Sequence, residues 1–535
     1  MSEHFWEMPY PSQRQPVLAG NVVATSQPLA AQAGLAVLRG GGNAVDAAVA
    51  AAAVMAVVEP ISNGLGADMF ALVWHEGKLL GLNASGRSPA AMSAAHLAGQ
   101  KELPALGWDP VTVPGAVSGW VALARRFGTV PFAKLLEAAI HYAGDGFPVA
   151  PLTAGLWAHA VNRFKDFPDF LHTFLPGGRS PGAGERFVNP DQARSLRLIA
   201  DSEGEALYRG ELARAFVAHA KATGGLMTLD DLAHHTADWV DPISIEYHGH
   251  RLHEIPPNGQ GLAALQALGM VASRDIRKLE PDCPDVLHLQ IEAMKLAFAD
   301  AHRYIADPRS MDASVEQLLD PAYLAGRAAL IDADRAGDPG AGSPKPGGTI
   351  LLTTADARGT MVALIQSNYL GFGSGIVIPG TGIHLQDRGA CFTLSPGHPN
   401  QLAGGKRPYH TIIPGFLTRA AAAGAPEPPL MAFGVMGGFM QPQGHLQVAT
   451  RVIDFHQNPQ AALDAPRWQV GAGKHVSIEP GFAPSLYQDL KRRGHELTIA
   501  PARTIAFGSG QAILRMTGCY LAASDPRHDG QAVGF

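Results

Sequence analysis

The junction between Gly348 and Thr349 is the place in this sequence where residue types and spacing best suit chemistry. Residues 336–348 are rich in Pro and Gly and are predicted to hold no regular structure. A strand-like run follows from Thr349 to Leu364, with a turn over 356–359. If the chain breaks before Thr349, the threonine gains a free α-amine beside its own hydroxyl. That amine, with an ordinary pKa of about 7.7–8.0, could act as the base that activates the hydroxyl as a nucleophile.

Four Gly-rich stretches are the other motifs that could form a site. They cover residues 59–68, 113–119, 367–375 and 433–439. Each by itself is typical of a turn, and none has the pattern of a phosphate-binding loop. The stretches therefore indicate a site only in combination with the junction at Thr349.

Strand-like runs at both ends of the chain flank a mainly helical middle. Strands are predicted over residues 21–25, 70–74 and 78–83, and helices over 28–38, 43–58, 286–306, 443–455 and 483–493. This order favours a layered α+β architecture in which strands from both ends share one core. It argues against a division into two domains at residues 330–348, although an ordinary interdomain linker is the alternative for that segment.

Composition excludes several classes of protein. The chain has 535 residues, is 46% hydrophobic and 16% charged, and carries a net charge of −6. We find no block of like charge, so nucleic acid is not an expected partner. The three cysteines have no metal or redox spacing, and their odd number argues against a disulfide framework, which fits a reducing compartment.

Membrane insertion and metal binding are likewise not expected. The start of the chain lacks a basic segment followed by an apolar core, and the apolar run over 47–58 is too short to span a bilayer. We expect a soluble, cytoplasmic protein that needs no cofactor. His248 and His250 could form a metal pair on one strand face, but without a further ligand nearby a surface hairpin is the favoured interpretation.

Taken together and in this order, the motifs resemble the γ-glutamyltranspeptidase (glutathione hydrolase) family of N-terminal-nucleophile hydrolases. The resemblance extends from about Pro16 to Phe535 and includes residues 41–48, 292–300, 373–375, 406–408, 464–467 and 523–527. It implies a proenzyme that cuts itself before a threonine into two interwoven subunits. It further implies a four-layer αββα sandwich that both subunits build as one structural domain.

The resemblance also implies where the cut and the catalytic groups lie. Aligning the family on Asp356 and Gly359 makes Thr349 the nucleophile, so that residues 1–348 form the large subunit, with a flexible C-terminal linker over 330–348, and 349–535 the small one. The family usually has Thr-Thr-His here, whereas this chain has Thr-Ile-Leu. The resemblance assigns the oxyanion donors to the backbone N–H groups of Gly437 and Gly438. It places a second, orienting hydroxyl at Ser367.

The substrate-binding positions depart from the family pattern. Where the family has an acidic pair that binds the glutamyl amine, this chain has small neutral residues up to Cys391, and Asp387 stands earlier in the same stretch. Where the family has a Ser-Ser pair for the carboxylate, it has His410 and Thr411. Arg87 could clamp a carboxylate, but it lies two residues nearer the following proline than the family's arginine.

These departures favour an acyl group that carries a carboxylate and no ammonium. A pocket that has lost its acids would leave an ammonium unpaired, whereas an arginine still favours a carboxylate. Oxamate fits this description, and a Thr-nucleophile amidohydrolase that releases ammonia from such an amide is the predicted function. Three alternatives stay open: γ-glutamyl hydrolysis or transfer, with Asp387 restoring the amine site, a cephalosporin-type acylase, and a non-catalytic binding relative. A dimer of the two-subunit units is also open.

Overall fold

The computed structural model describes residues 5, 7–12, 14–340, 348–421, 425, 427–501 and 504–535. The strands in these residues are β1 (Val17–Ala19), β2 (Val22–Thr25), β3 (Asp68–His75), β4 (Lys78–Ala84), β5 (Phe147–Pro148), β6 (Arg186–Phe187), β7 (Asp238–Val240), β8 (Ile243–Tyr247), β9 (His250–Glu254), β10 (Gly348–Ala355), β11 (Met361–Tyr369), β12 (Val377–Ile378), β13 (Ile383–His384), β14 (Gly415–Arg419), β15 (Pro429–Val435), β16 (Trp468–Val470), β17 (His475–Ile478), β18 (Glu496–Ile499), β19 (Gly510–Arg515), β20 (Tyr520–Ser524) and β21 (Gln531–Gly534).

Helices occupy most of the chain between the two strand-rich ends. They are α1 (Pro28–Arg39), α2 (Ala44–Val58), α3 (Ala116–Phe127), α4 (Phe132–Leu135), α5 (Glu137–Asp145), α6 (Pro151–Trp157), α7 (Ala160–Arg163), α8 (Pro168–Phe174), α9 (Pro190–Asp201), α10 (Glu205–Tyr208), α11 (Glu211–Thr223), α12 (Leu229–Ala233), α13 (Gly261–Val271), α14 (Pro284–Tyr304), α15 (Val315–Leu318), α16 (Pro321–Ala328), α17 (Met440–Ile453), α18 (Pro459–Asp464) and α19 (Pro484–Arg492). Among the described helices, none is long and apolar enough to cross a lipid bilayer.

Two antiparallel sheets form the centre of the described structure. Sheet 1 has the strand order β21-β2-β10-β11-β3-β4-β7, and sheet 2 the order β1-β20-β19-β15-β14-β9-β8. Both sheets contain strands from before and from after Thr349.

Side chains that alternate along the strands fill three apolar layers. In β10, Leu351 packs between the two sheets, whereas Ile350 and Leu352 pack against the helices that cover sheet 1. This follows from the pleat, which points successive side chains to opposite faces. A second set of helices, with α13, α14 and α17, covers sheet 2. The predicted αββα sandwich is confirmed.

Helix α2 supports the strands that carry the junction. Asn43 and Asp46 form a reciprocal capping box at its start, which satisfies N–H groups that the first helical turn leaves unpaired. Every residue from Ala44 to Val58 is buried, and the many alanines allow the helix to lie close against β10 and β11. The predicted helix over 43–58 is thus confirmed, and the loop after it leads directly to the site.

The segment before the junction is partly anchored to the body of the protein. Ala336 N donates to Arg493 O at 2.7 Å, and Gly337 N donates to Glu292 Oε2 at 2.9 Å. Residues 341–347 lie outside the described part of the chain. Within the predicted 330–348 linker, the backbone at Ala336 and Gly337 is therefore held by acceptors on α14 and at Arg493, just after α19.

The same anchor brings together three side chains of metal-binding types. Atoms of His288, Glu292 and His495 lie within 4.8 Å of one another. The Lys295 ammonium, however, contacts Glu292 Oε1 at 2.8 Å and also donates to Gly337 O. The Lys295 ammonium thus already lies where a divalent cation would bind. We therefore conclude that these side chains anchor the segment before the junction.

The histidines that could have formed a metal pair lie at the turn between β8 and β9. His248 Nδ1 is 2.6 Å from Asp454 Oδ1, and His250 Nδ1 is within hydrogen-bond distance of the His248 carbonyl. The hairpin predicted there is confirmed, and both rings have protein partners.

Candidate functional site

Thr349 lies near the start of β10, where the strand is paired on one side only. Strand β2 pairs with Leu352–Ala355, so within the described residues the first half of β10 has no partner strand on that side. Thr349 is 3% exposed and lines a cavity together with Gly348. The first residues of this strand are consequently held by β11 yet open towards a cavity.

A bulge in β11 directs the side chain of Ser367 at the junction. Gly348 pairs with Tyr369, but Ile350 pairs with Gln366, so Ser367 and Asn368 together face the single residue Thr349. Tyr369 has a φ of +79°, which bulky residues adopt rarely and which accompanies this change of register. Bulges of this kind re-aim a side chain next to a functional site.

The Ser367 hydroxyl connects the nucleophile to the peptide bond that precedes it. Ser367 Oγ donates to Gly348 O at 2.6 Å, and Thr349 Oγ1 donates to Ser367 Oγ at 3.2 Å. Tyr369 N and Arg388 Nη2 also donate to Ser367 Oγ, at 2.8 and 3.1 Å. The serine is fixed by these donors in a position that polarises the Gly348 carbonyl and orients the threonine hydroxyl.

Arg388 is a site residue that sequence reasoning did not identify. Its guanidinium is fully buried, donates to Thr411 Oγ1 at 2.7 Å as well as to Ser367, and lies over the Tyr369 ring at 4.6 Å. It occupies the segment where acids were expected and found missing. The sequence did contain a signal for this residue, because the stretch that has lost the family's acids also contains an arginine.

Gly437 and Gly438 form the tight turn between β15 and α17. Their φ angles are +118° and +62°, and a Cβ at Gly437 would lie 3.0 Å from Gly508 Cα. Within the described residues, neither N–H donates to a protein acceptor, and Gly437 lines the same cavity as Thr349. Free backbone donors in a fixed turn beside a nucleophile are suited to holding an oxyanion.

The cavity has a volume of about 240 Å³ and a largely apolar lining. Its ionisable lining side chains in the described structure are His159, Arg163 and His528, and no carboxylate is among them. The other lining residues are Ile61, Ser62, Leu156, Ala160, Phe164, Gly348, Thr349, Leu370, Gly371, Phe372, Met436, Gly437, Ile505, Gly508 and Ser509. The site therefore offers positive and apolar groups to a ligand.

Asp387 lies beneath this cavity, fully buried. Its Oδ1 accepts from Leu370 N at 3.0 Å, and its Oδ2 is 3.7 Å from Arg163 Nη2. Burial raises the pKa of Asp387 to about 7, against the opposing effects of Leu370 N–H, Arg163 and Arg388. The carboxyl group is thus next to two cations and does not line the cavity.

His410 is fully buried and does not line the cavity. Its Nε2 is 3.0 Å from Asp68 Oδ2, and both side chains are fully buried. Burial lowers the pKa of His410 well below its usual value, with Arg388 and Arg407 acting in the same direction. Burial also raises the pKa of Asp68 to about 7. This pair supports the strand next to Ser367, with which Asp68 is in register.

Arg87 is not brought to the nucleophile. Its Nη1 contacts Asp307 Oδ2 at 2.7 Å, and it lines a separate cavity with Ser88, His234 and His235. The structure thus assembles most of the predicted residues around one junction: Gly348, Thr349, Ser367, Gly437 and, through Arg388, Thr411. Arg87 lies outside this group because the loop after β4 carries it to Asp307.

Comparisons with known proteins agree over the length of the chain. The gamma-glutamyltranspeptidase family pattern matches residues 30–535. An oxamate amidohydrolase proenzyme of Klebsiella pneumoniae is 38% identical over 520 residues, covering 95% of this chain and 97% of that protein. The glutathione hydrolase-like YwrD proenzyme of Bacillus subtilis is 35% identical, covering 96% and 98%. The crystal structure of a cephalosporin acylase from Bacillus halodurans is 50% identical with a TM-score of 0.93, covering 99% and 98%. The chain therefore belongs to the γ-glutamyltranspeptidase family.

Proposed function

We propose that this chain is a precursor that cuts itself between Gly348 and Thr349 and then hydrolyses amides with Thr349. The observation that carries the proposal is the Ser367 hydroxyl, which contacts both Thr349 Oγ1 and Gly348 O. Thr349 Oγ1 attacks the Gly348 carbonyl carbon, the C–N bond breaks as the hydroxyl proton passes to the Thr349 nitrogen, and an ester with a free α-amine results. Ser367 stabilises the charge that develops on Gly348 O, and water then hydrolyses the ester.

In turnover the new α-amine takes the role of general base. Its ordinary pKa of about 7.7–8.0 suits it to accept the Thr349 hydroxyl proton near neutrality. The hydroxyl attacks the amide carbonyl of the substrate, and the N–H groups of Gly437 and Gly438 hold the oxyanion. The proton passes to the leaving nitrogen, ammonia or an amine departs, and water releases the acid from the acyl-enzyme.

The cations around the site favour a substrate whose acyl group bears a carboxylate. Arg163 lines the cavity and Arg388 lies behind the nucleophile, whereas no described lining residue is an acid. Oxamate-like amides of small carboxylate-bearing acids are our first candidates, and the Klebsiella relative is named for activity on oxamate, the smallest of them. A γ-glutamyl substrate would need a partner for its ammonium. Asp387 is the carboxyl group next to the cavity, but it does not line the cavity, and Arg163 and Arg388 lie beside it.

A second candidate is an acylase for larger acyl groups that also carry a carboxylate. The cavity of about 240 Å³ exceeds what a two-carbon acid needs, and its walls are formed by side chains such as Leu156, Phe164 and Phe372. The Bacillus halodurans relative, named a cephalosporin acylase, is consistent with such a substrate.

The two pieces, 1–348 and 349–535, would remain one domain after the cut. Strands β10 and β11 of the small piece lie between β2 and β3 of the large piece. A further association of two such units, and the cytoplasmic location, remain predictions. Light scattering of the purified protein would determine the number of units in the particle.

A denaturing gel tests the processing step. The intact chain of 56.2 kDa should give two fragments, the smaller with Thr349 at its N-terminus. A wild-type protein that stays intact, or a smaller fragment that begins elsewhere, would contradict Thr349 as the nucleophile. For the substrate, ammonia release from oxamate is compared with release of aniline from a γ-glutamyl anilide. A preference for the anilide would refute our ranking.

A further inference from the structure

We infer that Arg163, positioned by Asp387, forms a subsite for a carboxylate at the far end of the acyl group, with an apolar spacer between that carboxylate and the amide. The substrates that fit best are then monoamides of dicarboxylic acids with several methylene groups, whereas oxamate, the shortest such monoamide, has none. This inference rests on the proposed function, because the subsite lies in the cavity that holds Thr349.

Arg163 has unused hydrogen-bonding capacity in this cavity. It ends the short helix α7, its side chain is 33% exposed, and its guanidinium lies 5.2 Å from the centre of the Phe164 ring. Its buried Nε has no hydrogen-bond partner within the described residues. A planar donor with free N–H groups is suited to bind a carboxylate through two hydrogen bonds.

Asp387 positions this arginine but does not occupy its hydrogen-bond donors. The distance of 3.7 Å between Asp387 Oδ2 and Arg163 Nη2 is too long for a hydrogen bond, and Oδ2 has no such partner among the described residues. Asp387 is instead held through Oδ1 by Leu370 N–H. The pair therefore leaves the guanidinium available to a ligand.

Most of the other residues that line this cavity are apolar. Leu156, Ala160 and Phe372 line the same cavity and offer no charge. His528 also lines it, but its Nε2 is 3.4 Å from the buried Glu59 carboxylate. Arg163 is thus the permanently charged cation of the described lining, and apolar walls accommodate the spacer.

Substitution of Arg163 tests the subsite. Ammonia release is measured for processed wild type, Arg163→Gln and Arg163→Lys, with oxamate, succinamate, glutaramate and the neutral amide butyramide. We expect wild type to prefer glutaramate or succinamate to butyramide. Arg163→Gln should lower kcat/KM for the preferred acid on the order of 10²-fold, mainly through KM, and change butyramide less than threefold. Arg163→Lys should recover part of the loss.

A matched control and the opposite outcomes separate this inference from the proposed function. Arg125→Gln removes an exposed arginine that pairs with Glu203, and it should change no substrate. An equal loss on glutaramate and butyramide in Arg163→Gln, or a wild-type preference for oxamate over both longer acids, would overturn the subsite. Cleavage before Thr349 in all variants would still support the proposed function and would show that they fold.

Asp387 provides a second, independent measurement. Charged and titratable groups facing it are Arg163, Arg388, Tyr369 and Cys391. With a pKa of about 7, which burial raises, it ionises between pH 6 and pH 8 and then competes with the ligand for the guanidinium. KM for glutaramate should rise over this range in wild type and stay flat in Asp387→Asn. A wild-type KM that is flat over the range would overturn the role of Asp387.

Discussion

Replacement of Ser367 by alanine is the most direct test of the arrangement around the junction. The substitution removes the donor that lies 2.6 Å from Gly348 O, where negative charge develops during cleavage. Loss of one such donor typically costs about 10²–10³ in rate. We therefore expect the half-life of the intact chain to lengthen by that factor, while the strands around the junction stay in place.

The same substitution has a predictable cost in stability. Tyr369 N–H and Arg388 Nη2 both lose their acceptor on Ser367, and both groups are buried. A buried donor left without an acceptor costs about 1–3 kcal/mol. Urea unfolding of Ser367→Ala should accordingly give a lower free energy of unfolding, which Ser367→Thr should largely restore because it keeps the hydroxyl.

The assay is a time course on denaturing gels after rapid purification, followed by the disappearance of the 56.2 kDa chain. Thr353→Val is the matched control, because Thr353 lies in β10, the strand that carries Thr349, and its buried Oγ1 has no partner within the described residues. The control should process at the wild-type rate. If Ser367→Ala processes within threefold of this control, polarisation of the Gly348 carbonyl by Ser367 is not what drives the cut.

Three further predictions concern the nucleophile, the oxyanion donors and a buried ion pair. Thr349→Ala should remain a single chain on a denaturing gel; any fragment that begins at residue 349 would contradict the mechanism. Gly437→Ala should lower kcat on the order of 10²-fold, because a Cβ would lie 3.0 Å from the facing backbone, whereas Gly41→Ala, also at positive φ but in open space, should leave kcat unchanged. Burial raises the pKa of Asp525, but Arg467 and a second buried arginine outweigh this effect and lower it. Its stabilising contribution is therefore present above the unfolded value of about 3.9 and is lost as the pH falls through the lower folded value. Asp525→Asn should lower the free energy of unfolding at pH 7 by about 3–5 kcal/mol. Below pH 4 the free energy of unfolding should then decrease less steeply in the variant than in wild type. Urea unfolding that gives the same pH dependence for both proteins would refute this.

Features that depend on local pattern were predictable from the sequence. The start of β10 follows from the contrast between a Pro/Gly-rich segment and an apolar run, and α2 follows from Asn43 and the alanines after it. Both faces of β10 are covered, so the apolar residues Ile350, Leu351 and Leu352 follow one another without alternation, as in a strand buried on both faces. The αββα arrangement came from the resemblance and not from the periodicity.

Features that depend on contacts between distant residues were not predictable in the same way. Arg388 reaches Ser367 and Arg163 approaches Asp387 across long stretches of chain, and neither spacing signals the contact. Arg87 was expected at the site from its place before a proline, but sequence position does not specify which cavity a loop residue lines. The anchor at Gly337 depends on hydrogen bonds to a helix that Pro and Gly content does not reveal.

The strand order of sheet 1 has a consequence for how such a molecule could come to exist. Strand β21 lies beside β2, and β10 and β11 lie between β2 and β3, so material from before and after residue 348 is interleaved. Two chains synthesised separately would each have to insert strands between the strands of the other. The unpaired edges of those strands would stay exposed until the whole sheet had formed. A single continuous chain avoids the exposure of these strand edges, since all strands of the sheet can pair within one molecule as it folds. The strand order therefore requires the chain to fold before it is cut. If the cut protein is then unfolded, we expect its two pieces to refold poorly.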